Sequence, residues 1–342
     1  MLETTDKCQK NDPATYLLEQ AMGFTFQAAL RAAAETGVAD QLKERAKTAE
    51  ELATELKVDG ARLYRLLRML ASKHIFEAAP DGRFSLTPAA EYLCSDHPYS
   101  LRAAVLMLTD KTFWSPSGNL TESLRSTSSF KNLYGMSFYE YWADKGNQRE
   151  GYDFHTGMSS MSAVENRFLS ESYPFPENAT VVDIAGGMGG LLLAILRRNP
   201  TLHGILFDRP DILARHRLGE LGDDTRWRIQ PGSFFESCPS ADFYLLKYIT
   251  MDWPDKQARN ILLNCRKAMH EKSKLLIMEP IIPEGNHWHG GNEIDLLLLA
   301  SFDGGQTRSE ASLRTLLASA GLKLSRVITT GCYVSIAEAV VA

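Results

Sequence analysis

The run Val181-Val182-Asp183-Ile184-Ala185-Gly186-Gly187-Met188-Gly189-Gly190 constrains this chain more than any other part of it. Apolar residues that end in a carboxylate and then in glycines describe a strand turning sharply into a helix, with backbone bare enough for a ligand to approach. The amides at such a helix start point at any anionic group bound there. Asp208 follows the next apolar run, nineteen residues past Gly189, where a carboxylate can accept both hydroxyls of a ribose. A nicotinamide dinucleotide would want G-x-G-x-x-G. After Gly187-Met188-Gly189 the third position is Leu192, so that fingerprint fails.

The texture around the turn is α/β. Short apolar runs at 180–184, 204–207, 228–230, 242–246 and 275–278, separated by helical or loop segments, read as buried parallel strands. Runs 322–328 and 333–339, joined around Thr330-Gly331, read as a closing antiparallel hairpin, which makes the sheet doubly wound with an inserted last strand. Up to about Arg167 the pattern is helical. Residues 14–36, rich in Ala, Leu and Met with no internal breaker, read as one long, largely buried helix. Thr48-Ala49-Glu50-Glu51 is a capping box, Asp59 caps the next helix, and Leu63, Leu66, Leu67 and Leu70 make one apolar stripe along it. Ile75 and Phe76, a turn at Pro80-Asp81-Gly82, and Phe84 and Leu86 form a short hairpin, and Thr87-Pro88 opens another helix. The expected organisation is a winged-helix domain over 1–100, a helical linker over 101–170 and a Rossmann-like α/β domain over 171–342.

A winged helix raises the question of DNA, with Arg62, Arg65, Arg68 and Lys73 facing phosphates. Against that, 37 Lys and Arg stand beside 42 Asp and Glu, a formal charge of -5, which supplies no general attraction to phosphate backbones or anionic lipid. No apolar run approaches the roughly 20 residues of a membrane span, and no signal peptide or anchor is readable. The five cysteines, Cys8, Cys94, Cys238, Cys265 and Cys332, lie far apart without a C-x-x-C, so neither a disulfide framework nor a zinc site is spelled out. A cytoplasmic protein with free thiols is expected.

Ordered strings then accumulate over nearly the whole chain: Phe113-Trp114-Ser115-Pro116, Tyr134-Gly135-Met136, Gly157-Met158-Ser159-Ser160, the glycine turn with Leu206-Phe207-Asp208-Arg209-Pro210, Gly232-Ser233-Phe234-Phe235, Leu246-Lys247 running to Asp252-Trp253, Asn264-Cys265-Arg266, and Gly304-Gly305 with Arg308. In these the chain resembles the class I S-adenosylmethionine-dependent O-methyltransferases of the caffeate and hydroxyindole type, bacterial antibiotic-tailoring relatives included. Asp183 and the glycines after it also match the D-x-G-x-G-x-G turn of S-adenosylmethionine enzymes, with Ala185 in the first glycine slot. The resemblance implies S-adenosyl-L-methionine as cofactor and a winged-helix part that builds a homodimer and covers the neighbouring active site rather than binding nucleic acid. It implies cofactor contacts from Asp208 at the ribose, Ser233, Phe234 and Trp253 around the adenine, Lys247 and Ser162 at the methionyl end, and, without a subsite assigned, Asp183, Arg209 and the backbone of Gly186, Gly187 and Gly189. It implies a substrate pocket lined by Met107, Phe154, Met158, Met161 and Met251, to which the 101–170 segment contributes. Thioether and aromatic side chains make a soft apolar surface that can grip a planar ring, and ordinary core packing is their other reading.

The chain departs from the family at the site. The methyl of Ala185 is added where the cofactor passes, and Ser233 stands where an Asp commonly meets the adenine amino group. The family's general base is a His directly before Asp-Trp, and here that residue is Met251, whose thioether cannot take a proton. Thr307 stands where the family often has a Glu holding that His, while the other supporting acid survives as Glu279. Asp252 and Glu279 are left as the candidate catalytic residues. Losing a base costs about 10² to 10⁴ in rate, and positioning alone can lower a barrier by about 7–11 kcal/mol. An acidic phenol, already ionised, needs no base. His287, His289 and Glu293 have tempting metal spacings, but related metal sites also draw on the missing His, so no metal is expected. The expected activity is O-methylation of a hydroxylated aromatic small molecule in a tailoring pathway. The alternative on the same scaffold holds S-adenosylmethionine as a positive charge without giving up its methyl, as in hydroxylation, decarboxylation or ring-forming rearrangement. A winged-helix regulator is the reading from a different class.

Overall fold

Asp12 accepts the amides of Ala14 and Thr15, and Pro13 takes the first helical position, which starts α1 (Pro13–Ala21) in the computed structural model; it describes residues 12–144, 154–285 and 287–342. Cys8 lies outside the described residues. The helix does not run on to Thr36. Met22 leaves the helical region ahead of Gly23, where α2 (Gly23–Thr36) begins, so the single helix expected over 14–36 is two. It is not largely buried either. No residue of α1 is buried, and Tyr16, Leu17, Leu18, Met22 and Phe24 are exposed.

This first unit ends at Thr109. Thr48 Oγ1 accepts the Glu51 amide at 3.2 Å and Glu51 Oε2 accepts the Thr48 amide at 2.7 Å, the reciprocal cap that starts α3 (Ala49–Leu56) after the short β1 (Lys47–Thr48). Asp59 caps α4 (Gly60–Ser72) through the Arg62 amide at 2.8 Å. Leu63, Leu67 and Leu70 go into the unit's own core with Leu52, Phe76 and Phe84, and Leu66 is half-buried. The apolar stripe of α4 is therefore used inside this unit. β2 (Phe76–Ala78) and β3 (Arg83–Leu86) form the expected hairpin, with β1 pairing on β3. Thr87 caps α5 (Pro88–Glu91), and α6 (Arg102–Leu108) carries Arg102, whose Nε donates to the Ala34 carbonyl at 2.7 Å. Arg62, Arg65, Arg68 and Lys73 are exposed.

In the second unit, from Asp110 onward, helices α7 (Lys111–Gly118), α8 (Leu120–Ser123), α9 (Ser129–Tyr134), α10 (Phe138–Asp144) and α11 (Phe154–Ser172) precede a seven-stranded sheet. Its members are β4 (Thr180–Ile184), β5 (His203–Asp208), β6 (Trp227–Pro231), β7 (Phe243–Lys247), β8 (Lys274–Glu279) and, beyond the separate pair β9 (Ile281–Ile282) and β10 (Arg308–Ser309), β11 (Leu322–Ile328) and β12 (Ser335–Val341). The order is β11-β12-β8-β7-β4-β5-β6, with β12 inserted antiparallel between β8 and β11 and the other neighbours parallel. Alternate side chains go to opposite faces: Val181, Leu206, Leu245 and Leu276 to one core, Val182, Ile205, Leu246 and Ile277 to the other. The run expected as a buried strand at 228–230 is instead the sheet edge, where Arg228 and Ile229 are exposed because among the described residues no strand lies beyond β6. Helices α12 (Gly190–Arg198), α13 (Pro210–Leu213), α14 (Asp255–Ala268), α15 (Gly290–Ser301) and α16 (Glu310–Ser319) complete the unit. Parallel strands share an edge for their C-terminal ends, and there the sheet places Asp183, Asp208, Lys247 and Glu279 together. No helix among the described residues is long and apolar enough to cross a membrane.

Candidate active site

The glycine turn bends through three left-handed residues, Ala185 (φ 55°), Gly187 (φ 61°) and Gly189 (φ 80°). Gly186 is required for space, since a Cβ there would fall 2.5 Å from the Asp183 carboxyl carbon and 2.6 Å from Leu206 Cδ1. At Gly187 no atom lies within 4 Å of where a Cβ would stand, so this face of the turn is open. The Gly187 amide donates to Asp208 Oδ2 at 2.8 Å and the Arg209 amide to Oδ1 at 2.7 Å. The Gly187 amide thus ties the carboxylate to the turn, the Arg209 amide holds its other oxygen, and lone pairs are left for outside hydroxyls. Burial pushes the Asp208 carboxyl up, and the two amides pull against it. The Arg209 side chain is exposed and pairs with Asp211 at 2.8 Å, so its contribution is the amide.

Asp183 is buried, and its Oδ2 has no hydrogen-bond partner among the described residues. Burial raises its pKa to about 7 against the pull of Lys247. Lys247 in turn is held at 2.7 Å by Glu165 and at 3.0 Å by the Asn166 side chain, both on α11 one turn beyond the half-buried Ser162. Glu165 Oε1 also accepts the hydroxyls of Tyr248 (2.7 Å) and Tyr333 (2.6 Å). This hub, which sequence reasoning missed, holds Tyr248 in a left-handed conformation (φ 56°) directly after Lys247.

On the other side of the turn Ser233 Oγ accepts the Phe235 amide at 3.3 Å, and Asn264 donates to the Phe234 carbonyl at 3.0 Å. Trp253 stands edge-on to Phe235 at 4.8 Å and to Phe234 at 6.3 Å. Gly232 lets this segment lie on Phe207, since a Cβ would come within 2.4 Å of that ring.

The segment after β7 is held by side chains from β8 and β10. Glu279 Oε1 accepts the amides of Ile249 (3.0 Å), Thr250 (2.6 Å) and Met251 (3.3 Å), and Oε2 accepts the Thr250 hydroxyl (2.8 Å). Arg308, 4% exposed, donates to the carbonyls of Thr250 (2.8 Å) and Trp253 (3.1 Å), and the Gln306 amide takes the Met251 carbonyl (2.8 Å). Thr307 is held by Asp295, which accepts its amide and hydroxyl at 2.7 and 2.8 Å. Met251 is buried in the core cluster of Leu298, with Met161 packed against it. Asp252, next along, accepts the Tyr139 hydroxyl, and the Tyr139 ring stacks on Trp253 at 6.2 Å. Burial raises Asp252 to about 7, with Glu279 adding to the rise.

Of the expected pocket residues, Phe154, Met158 and Met161 share α11 and are half-buried. Phe154 stacks on Trp142 at 5.4 Å and meets Phe138 at 5.3 Å, and Phe138 meets Phe302 at 4.8 Å, a continuous aromatic wall. Met107 belongs to the other unit and is fully buried there. His289 Nδ1 accepts the Gly291 amide at 3.0 Å and so caps α15, while His287 and Glu293 are exposed.

Residues 114–323 match the O-methyltransferase domain, and residues 18–96 the O-methyltransferase dimerisation domain. The phenazine O-methyltransferase PhzM of Lysobacter antibioticus is 33% identical over 329 residues, 95% of this chain and 96% of that protein. The mitomycin biosynthesis 6-O-methyltransferase of Streptomyces lavendulae is 34% identical over 308 residues, 89% of this chain and 87% of its own. Among solved structures, the SAH-bound form of CalO1, a methyltransferase in calicheamicin biosynthesis, superposes with a TM-score of 0.90 at 40% identity, covering 96% of this chain and 98% of that one. NcsB1, an O-methyltransferase from neocarzinostatin biosynthesis in complex with S-adenosylmethionine and 2-hydroxy-5-methyl naphthoic acid, gives 0.72 at 30% identity, with 92% and 96% covered.

Proposed function

The chain belongs to the S-adenosylmethionine-dependent O-methyltransferases that carry their own dimerisation domain, and from this we propose that it methylates a hydroxyl of a hydroxylated aromatic small molecule in antibiotic tailoring, as a homodimer. S-adenosyl-L-methionine is its cofactor. The observation that carries the reading is the pair of carboxylates at the open turn: Asp208 fixed by two amides beside Gly187, and Asp183 with a buried oxygen lacking a partner. A ribose diol suits the first and an ammonium the second. Phe234, Trp253 and Ser233 would face the adenine, and Lys247 and Ser162 the rest of the methionyl end. Bound, the cofactor supplies a methyl group on a sulfonium.

The residues of the chain then bind and orient the acceptor. Phe154, Met158 and Met161, backed by the aromatic wall, suit a flat ring, as do the ring systems named in the phenazine and naphthoic acid relatives. Met251 supplies an apolar surface in place of a base. Incubation with S-adenosylmethionine and a panel of hydroxylated aromatics, read by mass spectrometry, tests this. One methyl consumed per acceptor converted is expected. Conversion without methyl consumption would overturn it in favour of a charged, unconsumed cofactor.

A further inference from the structure

Two carboxylates stand at the segment that carries Met251, Glu279 bonded to its backbone and Asp252 within it, and they are used differently. Glu279 is buried, 4% exposed, and its oxygens are committed to three amides and the Thr250 hydroxyl. Asp252 is partly exposed. Its Oδ2 accepts the Tyr139 hydroxyl, while Oδ1 accepts no hydrogen bond among the described residues. The Tyr139 ring lies along Trp253 and against Phe302 at 5.5 Å, so the hydroxyl is delivered by a side chain packed on two sides.

We propose that Asp252 Oδ1 takes the proton of the substrate hydroxyl and that Tyr139, donating to Oδ2, is the positioning residue that holds the carboxylate for it. The proposal rests on the methyl-transfer reading above. The phenolic O–H bond breaks with its proton passing to Oδ1 and its electron pair staying on oxygen. That oxygen forms the bond to the methyl carbon as the carbon–sulfur bond breaks and leaves its pair on sulfur, and Asp252 later releases the proton to water. Tyr139 keeps its own proton throughout: although its side chain is 41% exposed, desolvation of the hydroxyl held on Asp252 and the Asp252 and Asp208 charges push it above the ordinary value. Asp252 itself is raised to about 7, which brings the acceptor closer to a phenol than an ordinary carboxylate would be. The groups around it are Tyr139 from α10, Glu279 from β8, Arg308 from β10 acting on the carbonyls of Thr250 and Trp253, and Asp255 at the start of α14.

The test uses the full-length protein with catechols and hydroxybenzoates of graded acidity, ending in 4-nitrocatechol, and calorimetry of S-adenosylhomocysteine binding alongside. Asp252→Asn is expected to lower kcat about 100-fold or more on the weakly acidic phenols and little on those already ionised at the assay pH. Tyr139→Phe is expected to lose less and to move the acidic limb of the kcat/KM profile upward, because the lost hydrogen bond had favoured the charged carboxylate. S-adenosylhomocysteine affinity is read alongside because Tyr139 stacks on Trp253, so that any loss of cofactor binding is separated from the loss of kcat on weakly acidic phenols. Equal losses on all phenols, or an acidic limb that does not move in Tyr139→Phe, would overturn the pairing and leave methyl transfer standing. Should Asp252→Asn fail to fold, Tyr139→Phe and partial recovery in Asp252→Glu decide. Methylation of no phenol in the series would overturn the proposed function, and this inference with it.

Discussion

Asp183 and Asp208 sit near the same edge of adjacent parallel strands, yet of the two Asp183 alone has a buried oxygen without a partner among the described residues. Asp208 meets two amides, so its charge is paired before any ligand arrives. Two charge-assisted bonds to a ribose diol then make Asp208→Ala expensive: calorimetry should show about 2–4 kcal/mol lost in S-adenosylhomocysteine affinity. Unchanged affinity would remove the ribose from this residue. Asp183 behaves differently because its folded pKa, about 7, lies above its ordinary 3.8. Between those values the folded protein holds a proton that the unfolded chain has released, so this contribution to stability falls as pH rises from about 4 to 7. Asp183→Asn has no such proton. Denaturant titrations without cofactor should show the variant gaining on the wild type across that window and holding its lead above it. A difference constant with pH would show that Asp183 is already charged in the free protein.

The Ile249–Trp253 stretch shows what an element can lack in local support. It has one short turn of 3-10 helix, and its shape comes from Glu279 on the amides and Arg308 on the carbonyls. Glu279→Ala would strand up to three amides, and an unsatisfied buried group costs about 1–3 kcal/mol. A destabilisation of at least about 3 kcal/mol is therefore expected, with a change in Trp253 fluorescence. A loss within about 0.5 kcal/mol, as at an ordinary surface site, would show that the stretch holds itself. Neither partner was legible as a clamp, because Glu279 lies 29 residues from Thr250 and Arg308 lies 58. What could be read was local. The Thr48–Glu51 box, the Asp59 cap and the glycine turn each need only a few consecutive residues to agree, and each is present. The break at Met22 was missed because Ala- and Leu-rich sequence on both sides masks one glycine. The Tyr139 hydroxyl on Asp252, across 113 residues, leaves no periodic trace at all.

At the scale of the whole chain, the decision lies in which apolar surface is left over. The α4 stripe cannot be it, since Leu63, Leu67 and Leu70 are buried inside their own unit. Within that unit, large exposed apolar side chains crowd α1 and the start of α2, where Leu17 is 69% exposed and Phe24 66% in a single copy. Several large apolar side chains exposed so close together in sequence seldom stay wet on a monomer, and Leu18, Met22 and Phe24 fall in the region matching a dimerisation domain over 18–96, with Leu17 directly before it. Light scattering at micromolar concentration should therefore report a particle of twice 38.1 kDa. The paired change Leu17→Asp and Phe24→Asp should shift it towards the single-chain mass. Neither side chain belongs to the unit's own core, so far-ultraviolet circular dichroism and cofactor binding should persist in the monomer. Leu67→Ala is the counter-case: it should cost about 2–5 kcal/mol of folding stability while the folded fraction keeps the dimer mass. If the double aspartate variant remained a dimer, copies would have to pair through some other surface, and the exposed face of α1 would need a different occupant.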